Sequence, residues 1–209
     1  MKRPKIYFLI GVILAAVLFG AYGIARLSHK TPLQPVVPGV LYRSAQLDAK
    51  TLSHLARNHI KIVVNLREGD ENDEPQIYEL EKKNCQAQGI ELVHIPISAL
   101  LPSDAQVVQF LQIVQSNRGA VLVHCKQGRA RTGMMVAAYR IIIQGWPADK
   151  AYQEMCDFKG VPRPEEYQQK HGLIKRFEDQ RAQFLEMIRT GATTMPASLP
   201  ATTPSTSQP

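Results

Sequence analysis

The pattern of apolar and polar positions between residues 40 and 188 predicts strands that alternate with helices. Residues 61–66 (KIVVNL) and 120–124 (AVLVH) are short apolar runs rich in β-branched residues, as in buried strands. The predicted strands are 40–44, 61–66, 91–95 and 120–124, and the predicted helices are 47–58, 74–88, 104–116, 132–144, 148–158 and 165–188. This alternation predicts an α/β fold with a central, mostly parallel sheet flanked by helices, the last helices grouped on one side.

The N-terminal segment differs from this pattern, because residues 6–25 are apolar throughout and contain no charged side chain. As a helix this run would be about 30 Å long, the thickness of a bilayer core. The length favours an uncleaved membrane anchor over the alternative, a cleaved secretory signal. Basic residues before the run outnumber those after it, which predicts a cytoplasmic N-terminus. The rest of the chain is then expected on the periplasmic side of a bacterial inner membrane, or free in the periplasm after cleavage.

Composition divides the chain further. Residues 195–209 contain no charge and almost no bulky apolar side chain, which predicts a disordered tail. The predicted organisation is a membrane or signal segment at 1–30, a folded domain at 31–190 and the tail at 191–209. Five basic and no acidic residues lie in 1–30, so most of the net charge of +7 belongs to that segment. This distribution argues against a nucleic-acid partner.

One junction between a predicted strand and a predicted helix contains most of the candidate chemistry. Residues 124–132 read HCKQGRART. Backbone N–H groups at a helix start lack intrahelical partners, and the helix dipole adds positive charge there, so a loop at this point suits a phosphate-sized anion. Gly128 allows the backbone to bend inward without a Cβ in the way.

The residue types at the two ends of this loop suit phosphoryl transfer. Cys125, in this field and close to a guanidinium, is expected to be a thiolate nucleophile. Arg131 has a planar fork that can bind two phosphate oxygens at once. The predicted catalytic residues are therefore Cys125 and Arg131, the predicted substrate-binding residues are Lys126, Gln127, Gly128, Arg129, Ala130 and Thr132, and His124 supports the sulfur by hydrogen bonds. The Thr132 hydroxyl could also help the sulfur leave.

HCKQGRART resembles the H-C-x5-R-[S/T] signature of cysteine-based protein tyrosine phosphatases. The surrounding segments LYRSAQL, IVVNLRE, HIPISALLPSD and GWPADKAYQEM are similar to bacterial dual-specificity phosphatases, including exported ones, over about residues 36–180. The resemblance implies a central sheet with flanking helices. It also implies hydrolysis of phosphate monoesters through a phosphocysteine, without metal or other cofactor. The implied substrate is a phosphorylated protein, with phosphotyrosine first and dual specificity as an open alternative.

The resemblance further implies an aspartic acid that protonates the leaving oxygen, on a loop between a strand and a helix. Asp104 is the only carboxylate in the matching stretch, residues 96–104, and is the predicted acid. It could instead merely complement a helix N-terminus beside Ser103. Asp70 and Asp73, in the acidic run 68–74, are the alternates.

The basic residues of the loop leave the substrate open. Lys126 and Arg129 create a positive field that attracts any phosphate ester. Relatives that cleave lipid or inositol phosphates also have basic residues here, so a polyphosphorylated small molecule or lipid is the alternative substrate. A catalytically silent phosphate-binding module is the alternative from another class. A rhodanese or arsenate reductase is disfavoured, because in the low-molecular-weight phosphatases and related reductases the anion loop lies near the N-terminus, whereas here it follows several strands.

Other candidate residues have two interpretations each. Arg43 and Arg67 lie at or after strand ends and are interpreted as surface salt-bridge partners, with a place on the pocket rim as the alternative. Cys85 and Cys156 fall on predicted helices and are interpreted as inert core thiols. They could instead pair with each other, or one could protect Cys125 as a disulfide. The remaining histidines show no metal-ligand spacing.

Overall fold

The structure is a computed structural model that describes residues 33–53, 55–68, 75–98, 101–116, 118–159 and 164–192. The predicted anchor at 6–25, the alternates Asp70 and Asp73, and the predicted tail at 195–209 lie outside these residues. Within the described ranges, no helix combines the length and the apolar composition needed to cross a membrane.

Strands in the described ranges form one five-stranded sheet. The strands are β1 Gln34–Val37, β2 Leu41–Ser44, β3 Ile60–Asn65, β4 Glu91–His94 and β5 Ala120–His124. Their order is β1-β2-β5-β3-β4, with β1 antiparallel to β2 and the other neighbouring pairs parallel. The predicted mostly parallel sheet is confirmed. The prediction missed β1, a short edge strand that contains Pro35, because proline within a run argues against a strand.

Helices cover both faces of the sheet. They are α1 Ala49–Leu52, α2 Pro75–Ala87, α3 Asp104–Gln115, α4 Ala130–Ala138, α5 Ala148–Lys159, α6 Pro164–Asp179 and α7 Arg181–Thr190, with a 3-10 turn at Leu55–Asn58 and a π turn at Tyr139–Ile143. The predicted helix 165–188 was wrong as one element. The chain leaves helical geometry at Gln180, with φ −109° and ψ 19°, and Gln112 of α3 then donates a hydrogen bond to the carbonyl of Ile188 in α7.

Alternate residues of the central strands face opposite helical layers. Val63 and Leu122 pack with residues of α1, the 3-10 turn and α2. Val64 and Val123 pack with residues of α3 to α7, which confirms the grouping of the last helices on one side. Close packing holds α4 in that layer: a Cβ added to Gly133 would lie 2.5 Å from Cγ of Met155 in α5.

Candidate active site

The carboxyl ends of three neighbouring parallel strands meet around the loop between β5 and α4. Cys125 follows β5 directly and is only 3% exposed. The backbone N–H of Leu66, just after β3, donates to the His124 carbonyl at 2.9 Å, and that of Gln46, just after β2, donates to the Lys126 carbonyl at 3.2 Å. The loop is therefore held on both sides by the chain that follows its neighbouring strands.

Gly128 sets the curvature of this loop. Its φ is +64°, a conformation that residues with a Cβ rarely adopt. A Cβ at this position would lie 2.4 Å from the Ser44 carbonyl oxygen and 2.7 Å from the Ala45 nitrogen. The loop can approach the end of β2 this closely because residue 128 has no side chain.

Arg131 lies in the first turn of α4 and is 5% exposed. Its Nη1 lies 3.4 Å from the Leu66 carbonyl and 3.5 Å from the Ile97 carbonyl, which places the guanidinium at the ends of β3 and β4. Thr132 is fully buried, and its hydroxyl has no hydrogen-bond partner within the described part of the chain. The structure thus places Cys125, Arg131 and Thr132 near the carboxyl ends of the central strands.

The rim of the loop differs from its floor. Lys126, Gln127 and Arg129 are exposed, whereas Gly128 is buried and Ala130 is half-buried. Two cations therefore face solvent at the loop while Arg131 lies beneath it. Among the described residues, no group of three or more His, Cys, Asp or Glu side chains could hold a metal ion.

Arg43 is a second cation beneath the loop. Its Nη2 donates to the Gly128 carbonyl at 3.2 Å, and its guanidinium stacks on the Phe158 ring, 3.6 Å from the centroid. Burial lowers the pKa of Arg43 to about 10, while the nearby Glu154 and Cys125 act in the opposite direction. Arg43 therefore lies within electrostatic reach of the candidate nucleophile and supports the carbonyl of the bending glycine.

The prediction that Arg43 and Arg67 lie on the surface was wrong. Each is only 3% exposed. Arg67 donates from Nη1 to Oε1 of Gln46 at 2.8 Å, and its backbone carbonyl lies 2.6 Å from Nε2 of His94. Both arginines are buried because their hydrogen-bond partners, Gly128 for Arg43 and Gln46 for Arg67, lie at the ends of the central strands.

A buried polar network that sequence reasoning missed lies behind His124. Glu81 of α2 is fully buried, accepts a hydrogen bond from Asn65 Nδ2 at 2.7 Å, and lies 2.8 Å from His124 Nε2. Burial raises the pKa of Glu81, but His124, Asn65 and Arg67 together outweigh it and hold that pKa below its usual value. A sequence signal existed, because Glu81 precedes the core residue Cys85 by one helical turn and so lies on the inward face of α2.

The three cysteines are free thiols. Cys85 packs in the layer of α1 and α2, whereas Cys125 and Cys156 pack in the opposite layer. Cys85 and Cys156 therefore do not pair. Burial, with a smaller contribution from Glu81, raises the pKa of Cys85 to about 12, so this thiol is inert at neutral pH.

Asp104 occupies a different environment from the loop residues. It begins α3 next to Ser103, whose side chain caps the helix in a reciprocal pair with Gln106. Both carboxylate oxygens of Asp104 accept from Arg176 of α6, one of them at 3.0 Å from Nη1. These contacts favour the interpretation in which Asp104 complements a helix N-terminus, and they tie α6 to α3. Its role as proton donor stays a prediction.

A buried cysteine and a buried arginine at the two ends of a glycine-bent loop, between a parallel strand and a helix, define a cysteine-based phosphatase fold. A family model described as "DSP-PTPase phosphatase fused to NAD+ Kinase" matches residues 33–171, and the chain belongs to this family. It is thus a member of the cysteine-based dual-specificity phosphatase superfamily.

Individual relatives agree with this assignment. The chain is 34% identical over 117 residues to the dual specificity protein phosphatase TpbA of Pseudomonas aeruginosa. This match covers 55% of this chain and 49% of TpbA. The match thus spans about half the length of this curated relative. The crystal structure of P. aeruginosa TpbA aligns with a TM-score of 0.55 at 26% identity, covering 75% of this chain and 99% of that one. A cysteine-to-serine variant of TpbA in complex with phosphotyrosine aligns with a TM-score of 0.52 at 25% identity, covering 73% and 98%.

Proposed function

We propose that this protein is a phosphatase that hydrolyses phosphate monoesters through a phosphocysteine, with protein phosphotyrosine as its main substrate. The observation on which this proposal depends is the placement of Cys125 and Arg131 at the two ends of the loop bent at Gly128. Family membership supports the reaction, and the phosphotyrosine complex of TpbA supports the substrate class.

The reaction proceeds in two steps, formation and hydrolysis of the phosphocysteine. The Cys125 thiolate attacks phosphorus, the S–P bond forms as the ester P–O bond breaks, and the leaving oxygen takes a proton. Arg131 and the loop N–H groups bind the equatorial oxygens, whose charge is spread in the transition state. Water then attacks the phosphocysteine and gives a proton to the carboxylate that the first step produced. The S–P bond breaks as the new P–O bond forms, and the Thr132 hydroxyl stabilises the departing thiolate. Asp104 is the predicted proton donor of the first step, with Asp70 and Asp73 as alternates.

Turnover of an aryl phosphate by the reduced full chain, with a chelator present, tests the proposal. We expect hydrolysis without added metal and inhibition by vanadate, which resembles five-coordinate phosphorus. Cys125→Ser should abolish turnover and keep phosphate affinity, whereas Arg131→Lys should lose both, because an ammonium cannot replace the fork. Arg118→Lys is the matched control, since Arg118 is exposed and pairs with Glu91. Phosphate binding without turnover would instead indicate a silent binding module.

The exposed cations Lys126 and Arg129 favour a second candidate substrate, a phosphoinositide or inositol phosphate. A basic rim can contact phosphates beyond the one that reacts. If this candidate is correct, Lys126→Gln and Arg129→Gln should raise KM for polyphosphorylated substrates and leave KM for phosphotyrosine nearly unchanged. Equal effects on both substrates would show that the rim only attracts anions in general.

The proposed location is the inner membrane of a bacterium, with residues 6–25 as a single-pass anchor and the catalytic domain in the periplasm. The charge-free apolar run and the basic residues before it support this location. The full chain should sediment with membranes, and an alkaline phosphatase reporter at its C-terminus should be active. A soluble chain that begins near residue 24 or 26 would indicate a cleaved signal. An inactive reporter that remains in the cytoplasm would exclude both the anchor and the cleaved signal.

A further inference from the structure

Glu81 is a fully buried acid located between two donor groups from different strands. Its Oε2 accepts from Asn65 Nδ2, at the end of β3, at 2.7 Å. Its Oε1 lies 2.8 Å from Nε2 of His124, the last residue of β5, at ion-pair distance although the ring N–H is not aligned as in a straight hydrogen bond. A carboxylate buried this deeply needs partners for both oxygens, since an unpaired buried charge is strongly destabilising.

The orientation of the Asn65 amide determines which Glu81 oxygen accepts from it and why residue 81 must be a carboxylate. Asn65 Oδ1 accepts from the backbone N–H of Arg67 at 2.8 Å, so the amide NH2 faces Glu81 and cannot flip without losing that bond. With Oε2 occupied by one donor, Oε1 is left for His124, and Nε2 of the ring must therefore hold a proton. A glutamine at position 81 could not satisfy both neighbours, because its own NH2 would face one of the two donors.

The same network contacts the chain on both sides of the catalytic loop's start, because Asn65 precedes Leu66 and His124 precedes Cys125. His124 immediately precedes Cys125, and its carbonyl accepts from Leu66 at 2.9 Å. Once Nε2 is committed to Glu81, only Nδ1 of the ring is left to act elsewhere. Nδ1 is buried and has no hydrogen-bond partner among the described residues. Glu81, on the neighbouring helix α2, therefore fixes the position of the His124 ring at the start of the loop.

We propose that Glu81 is a positioning residue of the active site. It fixes the tautomer and the orientation of His124, leaves Nδ1 for the Cys125 end of the loop, and locks the ends of β3 and β5 together. The kinetic consequence rests on the proposed phosphatase function, whereas the tautomer of His124 does not.

The kinetic test compares Glu81→Gln with Glu79→Gln, which makes the same change at an exposed position of the same helix. Glu81→Gln should lower kcat on an aryl phosphate about ten- to hundredfold, the size of the loss when a metal-ligating histidine loses the group that orients it. KM should change little, and Glu79→Gln should behave as wild type. In a His124→Ala background, Glu81→Gln should have no further effect on kcat, since its route through the ring is gone. Additive losses in that cycle, or an unchanged kcat, would overturn the proposal.

A second measurement needs neither turnover nor a folded Glu81 variant. Nitrogen-15 NMR of the imidazoles in the wild-type full chain reports which ring nitrogen of His124 is protonated, with assignment through His124→Ala or, if that variant does not fold, His124→Gln. A protonated Nε2 supports the proposal, and a neutral ring protonated only at Nδ1 refutes it. A wild-type chain that shows this Nε2 proton but no hydrolysis would remove the phosphatase function while leaving the Glu81–His124 assignment intact.

Discussion

Gly128→Ala should disable the site by adding a single methyl group. The φ of +64° is unfavourable for alanine, and the new Cβ would lie 2.4 Å from the Ser44 carbonyl oxygen and 2.6 Å from its carbon. Both neighbours are backbone atoms at the end of β2, so neither can rotate away. The loop must therefore move outward from the strand that holds it.

The size of this effect follows from the geometry. A left-handed conformation costs a residue with a Cβ about 1–2 kcal/mol. Carbon and oxygen atoms pack at about 3.5 Å, so relief of the clash requires a shift of roughly 1 Å. A displacement of about 1 Å at a catalytic centre can cost about 10²-fold in rate. We therefore expect kcat/KM on an aryl phosphate to fall about 100-fold, or about 2.7 kcal/mol.

Gly89→Ala is the matched control for Gly128→Ala. Gly89 follows α2, has the same φ of +64°, and has no atom within 4 Å of an added Cβ. It should lose about 1–2 kcal/mol of stability from the conformational cost alone and keep its kcat/KM. Thermal unfolding and steady-state kinetics of both variants separate strain from displacement. If Gly128→Ala retained the same kcat/KM as Gly89→Ala, the close approach to Ser44 would not be what shapes the site.

Three further predictions test other parts of the structure. Asp104→Asn should lower kcat about 10²-fold or more on poor leaving groups and much less on good ones, because Asp104 is the predicted proton donor. Arg176→Met should lower the free energy of unfolding by about 1 kcal/mol through loss of its ion pair with Asp104. Equal rate losses by Asp104→Asn on good and poor leaving groups would show that Asp104 only complements the helix N-terminus. Cys85 should contribute a fall in the free energy of unfolding of about 1.4 kcal/mol per pH unit between pH 9 and 12, because the unfolded thiol ionises near 9 and the folded one near 12; in denaturant titrations, the wild-type value minus the Cys85→Ala value should fall with this slope. Arg43→Lys should lower kcat/KM about tenfold by weakening support of the Gly128 carbonyl, measured against Arg118→Lys.

Local patterns were sufficient for β2 to β5 and for the loop, because each is contiguous in the sequence. Predicted strand 120–124 agrees with β5, and predicted strand 61–66 is displaced by one residue from β3, Ile60–Asn65. The helix break at Gln180 had no such local signal. It follows from packing, since α7 turns there to contact α3 through Gln112.

Buried charges were the systematic failure, and the reason is physical. Arginine and glutamate are rarely fully buried, so a sequence-based interpretation assigns them to the surface unless it can name their partners. Here the partners are far apart along the chain: Arg43 donates to Gly128, 85 residues away, and Glu81 pairs with His124 across the α2 and β5 elements. Only tertiary structure brings these groups together.

Part of the missed site could nonetheless have been inferred from topology. In a parallel sheet the carboxyl ends of neighbouring strands share one edge, and ligand sites lie there. Applied to the predicted strands, this rule selects Arg43 at the end of the first, Asn65 and Arg67 at the end of the second, and His124 and Cys125 at the end of the last, all of which lie in or beside the site. A polar residue at the end of a buried strand should therefore be weighed together with those at the ends of the other strands before it is assigned to the surface. Residues that act from a helix behind the strands need a different signal, an acid in the inward-facing stripe.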